Sequence, residues 1–165
     1  IMIEFKHHSE KDIPNRVKWL SNPKANRLLG NHPGIKTTLA KQRAWFVVYR
    51  KEKAKKFFTI YTDKRPIGFV GLSHIDKINK NAEIFIVIGE DDYRGKGIGR
   101  QAMIWILDYG FNKLKLHKIS LAVFPENLAA VKLYKSLGFR QEGLLKDDAF
   151  FGGKYHDTLL MAKFA

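Results

Sequence analysis

The first residues of the chain, Ile1-Met2-Ile3-Glu4-Phe5, alternate as a strand does and predict one over 2–7. A helix is expected over 12–20, followed by a turn-rich stretch around Asn31-His32-Pro33-Gly34. A second helix is expected over 38–51, with Thr37 or Thr38 as its N-cap. Strands then fall at about 57–62, 66–76 and 82–89, the first two joined by Asp63-Lys64-Arg65. From Gly97 to Leu114, Ile98, Ala102, Trp105, Ile106 and Tyr109 share one helical face, with Gly110 as an irregularity. Ile119, Leu121 and Val123 alternate through Lys118–Phe124 and stop at Pro125. After Asn127, Ala130, Leu133, Tyr134 and Leu137 form another helical face that ends at Gly138, a natural C′ residue. Two last strands, about 139–148 and 154–164, meet at a Gly152-Gly153 hairpin turn.

No repeat, low-complexity tract or Pro/Gly/Ser linker divides this pattern, so residues 1–165 read as a single domain. Strands on both sides of helices, with several hairpins, make a mixed sheet covered by helices, an α+β fold. No apolar run is long enough to span a bilayer, and the N-terminus lacks the apolar region of a signal peptide, so the expected compartment is the cytoplasm, with no membrane partner.

Composition narrows the chemistry. Cysteine is absent, which removes an enzyme-thiol acyl intermediate and makes direct transfer the default for any acyl chemistry. The six histidines show no spacing typical of a metal site, and no metal is expected. The net charge of +14 admits polyanionic partners, among them nucleic acid, the ribosome and phosphorylated cofactors. Its densest stretch, Arg50-Lys51-Glu52-Lys53-Ala54-Lys55-Lys56, lies where a helix should end, and reads as a solvated helix terminus. Trp19, Trp45, Phe57, Phe58 and Phe150-Phe151 read as core, with the 20–36 stretch and the 148–154 hairpin as candidate walls of a substrate pocket.

Arg94-Gly95-Lys96-Gly97-Ile98-Gly99 follows a strand and opens a helix. Glycines let the backbone approach a ligand, and free N–H groups at a helix N-terminus receive anions, so this loop is a candidate phosphate site. Arg94 and Lys96 add positive charge. The loop is neither a Walker A sequence nor a dinucleotide fingerprint.

Arg94, Gly97 and Gly99 fill the Arg/Gln-x-x-Gly-x-Gly/Ala pattern, and this loop resembles the acetyl-CoA loop of the GNAT acetyltransferase superfamily. About thirty residues on, Asn127-Leu128-Ala129-Ala130-Val131-Lys132-Leu133-Tyr134-Lys135-Ser136-Leu137-Gly138-Phe139 resembles the family's Asn-x-x-Ala-x-x-x-Tyr-x-x-x-Gly-Phe motif. The resemblance covers residues 56–165, and before that only the order of elements agrees. It implies a mostly antiparallel sheet of about seven strands with a splayed parallel pair, flanked by about four helices. Ala82–Gly89 and Lys118–Phe124 would be the splayed strands, with the donor's pantetheine arm between them.

The same resemblance implies an acetyl-CoA-dependent N-acetyltransferase. Gly95, Lys96, Gly97, Ile98, Gly99, Arg94, Arg100 and Asn127 would bind the cofactor, and an amide near Val87 or Ile88 would stabilise the oxyanion. Gly89-Glu90-Asp91-Asp92 makes the link to the loop about one residue longer than the family pattern. Tyr134 takes the position of the general acid that protonates the leaving thiolate, and Glu83 is the candidate base. The acceptor is expected to be a primary amine, either a protein N-terminus or a small molecule such as an amino-sugar. Asp108-Tyr109-Gly110-Phe111 and Glu142-Gly143-Leu144-Leu145 are similar to segments of the polyamine and ribosomal-protein branches. A strongly basic chain with no acidic cluster in its first half suits a polyamine poorly. The competing readings are a nucleic-acid- or ribosome-binding protein, and an acetyl-CoA sensor, of the same fold without turnover. The expected assembly is a monomer or a homodimer.

Overall fold

Residues 57–60 and 67–72 are buried without a break, as in strands packed on both faces of a sheet. A computed structural model describes residues 2–29 and 34–165. It contains β1 (Ile3–His7), α1 (Ile13–Leu20), α2 (Pro23–Leu28), α3 (Leu39–Tyr49), β2 (Lys56–Thr62), β3 (Arg65–Asp76) and β4 (Asn81–Ile88). These are followed by α4 (Ile98–Asp108), β5 (Lys118–Val123), α5 (Leu128–Ser136), β6 (Arg140–Phe151) and β7 (Lys154–Phe164). The seven strands form one sheet in the order β1-β2-β3-β4-β5-β7-β6. All neighbours are antiparallel except β4 and β5, which α4 joins by a crossover.

Turn chemistry sets the two tight hairpins. Asp63 and Lys64 have φ of 48° and 69°, and Gly152 and Gly153 have φ of 61° and 78°. Paired positive φ values are what a two-residue I′ turn requires. The turn expected at Gly152-Gly153 is therefore where the sequence places it, although β6 runs on to Phe151.

One face of the sheet carries Ile60, Ile67, Val70, Leu72, Ile84 and Ile119, which pack under Ala102, Met103 and Ile106 of α4. The other carries Phe57, Phe69, Phe85 and Val87, which meet α1, α2 and α3 through Ile13, Trp19, Ala25 and Phe46. Gly110 lies in a π-helical turn that continues α4 through Tyr109–Lys113, and a Cβ there would come 2.5 Å from Ile119 Cδ1. The irregularity lets the crossover sit tightly on β5.

Two features depart from the sequence pattern. α2 lies inside the stretch read as turns, with Pro23 at its first position and Asn22 capping it by accepting from Lys24 N–H at 3.0 Å. Among the described residues this brings the α-helices to five, against the expected four or so. Thr38, not Thr37, caps α3, accepting from Lys41 N–H at 3.2 Å. Asn31, His32 and Pro33 of the expected turn lie outside the described residues.

Candidate active site

β4 and β5 are hydrogen-bonded neighbours only over Asn81↔Lys118, Ala82↔Ile119 and Glu83↔Ser120. Beyond Glu83 they separate, while β4 stays paired with β3 as far as Ile88 and β5 with β7 as far as Val123. The result is a slot through the sheet. Its cavity is about 510 Å³ and is lined by Glu83–Ile88, Leu121–Phe124, and residues of the glycine loop, α2, α4 and α5.

The register decides which backbone groups face this slot. Gly89 N–H donates to Ile67 O at 2.9 Å, and Ile88 lies opposite Gly68. Alternation along an antiparallel ladder then turns the N–H of Val87 toward β3 and those of Ile86 and Ile88 toward the slot. Val87 lines the slot with its side chain only. Ile86, which the sequence pattern did not single out, presents the same kind of free amide as Ile88. Glu90 N–H also donates to Ile67 O, at 3.1 Å, so two residues of this strand share one partner. That bulge takes up the extra residue between β4 and the loop.

Glu90 anchors the bulge. Its carboxylate accepts from Lys18 Nζ, Trp19 Nε1 and Arg65 Nη2 at 2.7, 2.9 and 3.1 Å. Burial alone would raise its pKa, but the Lys18 and Trp19 hydrogen bonds and the charges of Lys18 and Arg65 outweigh burial and lower it. Asp91 is bound by Asn22 and Arg94, and Arg94 Nε donates to Ile88 O at 3.0 Å. These contacts lock the loop to the end of the slot strand and to α1–α2.

The loop beyond is built to be approached. Gly95 and Gly97 have φ of 74° and 78°, and Gly97 is the N-cap of α4. A Cβ at Gly95, Gly97 or Gly99 would meet no protein atom within 4 Å. Gly99 lacks even a positive φ to require glycine, so the open space is not explained by the fold. Arg94 Nη2 is buried and has no hydrogen-bond partner among the described residues. A helix N-terminus, three open glycines and an unpaired guanidinium N–H together fit a phosphate-bearing group.

The other sequence-selected residues divide. Arg94, Gly95, Gly99, Asn127, Tyr134 and Glu83 line the cavity, whereas Lys96, Gly97, Ile98 and Arg100 do not. Ile98 is core, 1% exposed, and seats the first turn of α4. Lys96 Nζ lies 5.5 Å from the Tyr93 ring. Arg100 Nη1 donates to Ser136 Oγ at 2.7 Å and ties α4 to α5. Asn127 caps α5, its Oδ1 accepting from Ala130 N–H at 3.3 Å. It thereby sets the helix that carries Tyr134.

Tyr134 packs against Phe139 with ring centroids 5.9 Å apart, and burial pushes its pKa up. Glu83 sits at the closed end of the slot, paired with His74 Nδ1 at 3.1 Å, and is half exposed. At ~3.3 Å per residue it is about 10 Å along β4 from Ile86. Phe85, Val87, Ala122 and Phe124 share its face of the sheet with Ala25, Leu28 and Leu29 of α2, while Tyr134 and Met103 border the opposite face. The slot therefore has two mouths, one beside the glycine loop and one beneath α2. Phe151 packs against Phe124 and His156 rather than on the slot, and Phe150 is exposed.

Among the described residues no group of three His, Cys, Asp or Glu could hold a metal ion, and no helix is long and apolar enough to cross a membrane.

Comparison with known proteins agrees with this geometry. The acetyltransferase (GNAT) domain family matches residues 3–140. Spermidine N(1)-acetyltransferase of Escherichia coli (strain K12) is 34% identical over 113 residues, 68% of this chain and 60% of that protein. The Vibrio cholerae protein of the same name is 40% identical over 107 residues, 65% of this chain and 61% of that one. The chain thus spans about three fifths of these curated relatives in the matched stretches. A crystal structure of the Vibrio cholerae spermidine N-acetyltransferase in complex with CoA and spermine superposes with a TM-score of 0.92 at 29% identity. It covers 98% of this chain and 95% of its own.

Proposed function

Because the chain belongs to the acetyltransferase (GNAT) domain family, we propose that it moves an acetyl group from acetyl-CoA directly to the primary amine of a small molecule. The observation that carries this reading is the two-mouthed slot between β4 and β5, with the glycine loop at one mouth and Tyr134 on its wall. Acetyl-CoA supplies the activated thioester, and the chain's own residues do the rest.

The loop amides from Gly95 to Gly99, with Arg94, hold the pyrophosphate. The slot-facing amides of Ile86 and Ile88 hold the pantetheine arm and the thioester carbonyl. A fixed N–H aimed at a developing oxyanion stabilises it without reorganisation, typically by several kcal/mol. The acceptor enters beneath α2 and reaches the thioester across the sheet.

A primary amine with a pKa near ~10 arrives protonated at neutral pH. Glu83, half exposed and about 10 Å along the strand from Ile86, takes that proton through water rather than by direct contact. Tyr134 faces a thiolate leaving group whose ordinary pKa is about 8.5. Its own raised pKa keeps the hydroxyl protonated and ready to donate. With no cysteine in the chain, the acetyl group passes directly, without an enzyme-thiol intermediate. The amine nitrogen bonds the carbonyl carbon to give a tetrahedral oxyanion, which collapses as the C–S bond breaks and Tyr134 protonates the leaving sulfur.

The acceptor is a primary amine, the broad class to which the relatives' spermidine also belongs; the sequence admits an amino-sugar or, in place of a small molecule, a protein N-terminus. Acetyl-CoA titration by calorimetry, with thiol release followed across amines, tests the reading. Saturable binding and amine-dependent thiol release are expected, and absence of acetyl-CoA binding would overturn it.

A further inference from the structure

The segment that covers the acceptor side of the slot carries charge of one sign. Residues 13–51, which contain α1, α2 and α3, hold Arg16, Lys18, Lys24, Arg27, Lys36, Lys41, Arg43, Arg50 and Lys51, and not one Asp or Glu. These helices cover the sheet face on which Phe85 and Val87 project. α2 gives Ala25 and Leu28 to the slot wall and carries Lys24 and Arg27 on the same short helix. Lys24 is engaged by Asp91 at 3.4 Å, whereas Arg27 is exposed and makes no ion pair among the described residues.

A second cation lies behind the wall. Arg16 is 7% exposed and makes no salt bridge among the described residues. Its Nε donates to Gln42 Oε1 at 2.7 Å, its Nη1 is buried without a partner, and its guanidinium lies 3.6 Å over the Trp45 ring. Phe69, 4.7 Å from that guanidinium, is also 5.6 Å from Phe85, which lines the slot. Two rings, Phe69 and Phe85, therefore separate the charge from the cavity, and the low dielectric between them makes it felt.

The carboxylates that could offset this field are already taken. Glu83 pairs with His74, Glu90 with Lys18 and Arg65, and Asp91 with Lys24 and Arg94. Glu126, near the end of β5, is bound by His156 at 2.7 Å. Asp12 is held by Ser9 and Tyr61. A polyamine brings two or more ammonium groups, and each beyond the reacting one needs a free carboxylate to replace its water. None is on offer.

We propose that the acceptor is a small amine that carries its own anionic group, a phosphate or a carboxylate, which Arg27 receives within the positive field of residues 13–51 while the amine passes down the slot. This rests on the acetyltransferase reading and names the substrate class within it. The field rejects polycations such as the relatives' spermidine by like-charge repulsion. It also disfavours the ammonium form of the bound amine, so more of it is present as the free nucleophile.

Matched pairs of amines test it: glucosamine 6-phosphate against glucosamine, and glycine against glycinamide, with spermidine as the polycation. Each is measured twice, as thiol release at saturating acetyl-CoA and as calorimetric binding to the CoA complex. One charge-assisted contact is worth about tenfold or more in affinity. At least one anionic member should therefore exceed its neutral partner by about that factor in both readouts, with spermidine weakest, and the pair with the larger ratio names the anion. Arg27→Glu, on an exposed position, should cancel the advantage and bring spermidine up. Equal affinities within both pairs, or spermidine as the best ligand, would overturn the proposal. Anion-selective binding without thiol release would keep the acceptor class and remove the transfer reaction.

Discussion

Trp19 fills the space that a side chain at Gly89 would need: a Cβ there would lie 2.0 Å from Trp19 Cγ. The contact seats α1 on the end of β4, at the point where Gly89 and Glu90 share the Ile67 carbonyl. Trp19 is fully buried and its Nε1 donates to Glu90, so the ring has no room to step aside. Gly89→Ala should therefore cost about 1–3 kcal/mol, the usual range for overpacking. Urea denaturation of the two proteins measures this, and an unchanged midpoint would show that α1 is not pinned there.

Gly99 is the opposite case. A Cβ there would meet nothing within 4 Å, and the residue lies in the first turn of α4 without a positive φ. For the free protein, Gly99→Ala should be neutral or stabilising by up to ~1 kcal/mol, from helix propensity alone. If the backbone here is approached by the donor's phosphates, the same methyl should weaken acetyl-CoA binding by about tenfold or more. Calorimetry and thermal melts on one preparation separate the two effects. Unchanged affinity would place the pyrophosphate elsewhere.

The contrast between these glycines shows what a sequence can carry. The segment from β4 to α5 is legible because its signals are local: alternation, a glycine-rich loop, a helical face and an Asn cap lie within a few residues of one another. The Gly152-Gly153 turn is legible for the same reason. α2 escaped because six residues are too few to show a helical period, although Asn22-Pro23 was a start signal. Which amide faces the slot depends on the register with β3, and so on Gly68 and Ile67 some twenty residues away. The π-helical turn at Gly110 answers to Ile119 across the crossover. The lone charge of Arg16 is visible only once Trp45, Phe57 and Phe69 are folded around it.

Tyr134→Phe removes one oxygen from a residue that lines the slot and packs on Phe139. The ring and its packing stay, so the fold and acetyl-CoA affinity should change little. As general acid its loss should lower kcat by roughly 10²-fold, the low end of such effects. The readout that separates roles is the leaving group: an acetyl donor with a more acidic thiol should recover much of the loss. If kcat is unchanged, or falls equally for both donors, Tyr134 is a wall residue and water supplies the proton.

His8 makes stability depend on pH. Its Nδ1 lies 2.8 Å from Thr59 Oγ1, and its Nε2 is buried without a hydrogen-bond partner among the described residues. Burial, with the Arg16 charge beside it, lowers its pKa from 6.5 to about 4, against a smaller opposing effect of Asp12. Between those values the unfolded chain takes up a proton that the folded chain refuses. Stability from this group is thus complete above about pH 6.5 and is lost as pH falls toward 4. The shift corresponds to an upper bound on the order of 3 kcal/mol. His8→Asn, which cannot titrate, should be less stable at pH 7 but should lose less between pH 7 and pH 4.5. Urea midpoints for both proteins at the two pH values measure the difference in slope. Parallel losses would mean that His8 does not set the acid sensitivity in this window, because Glu90 and Asp91, with their lowered pKa values, lose their contribution only at lower pH.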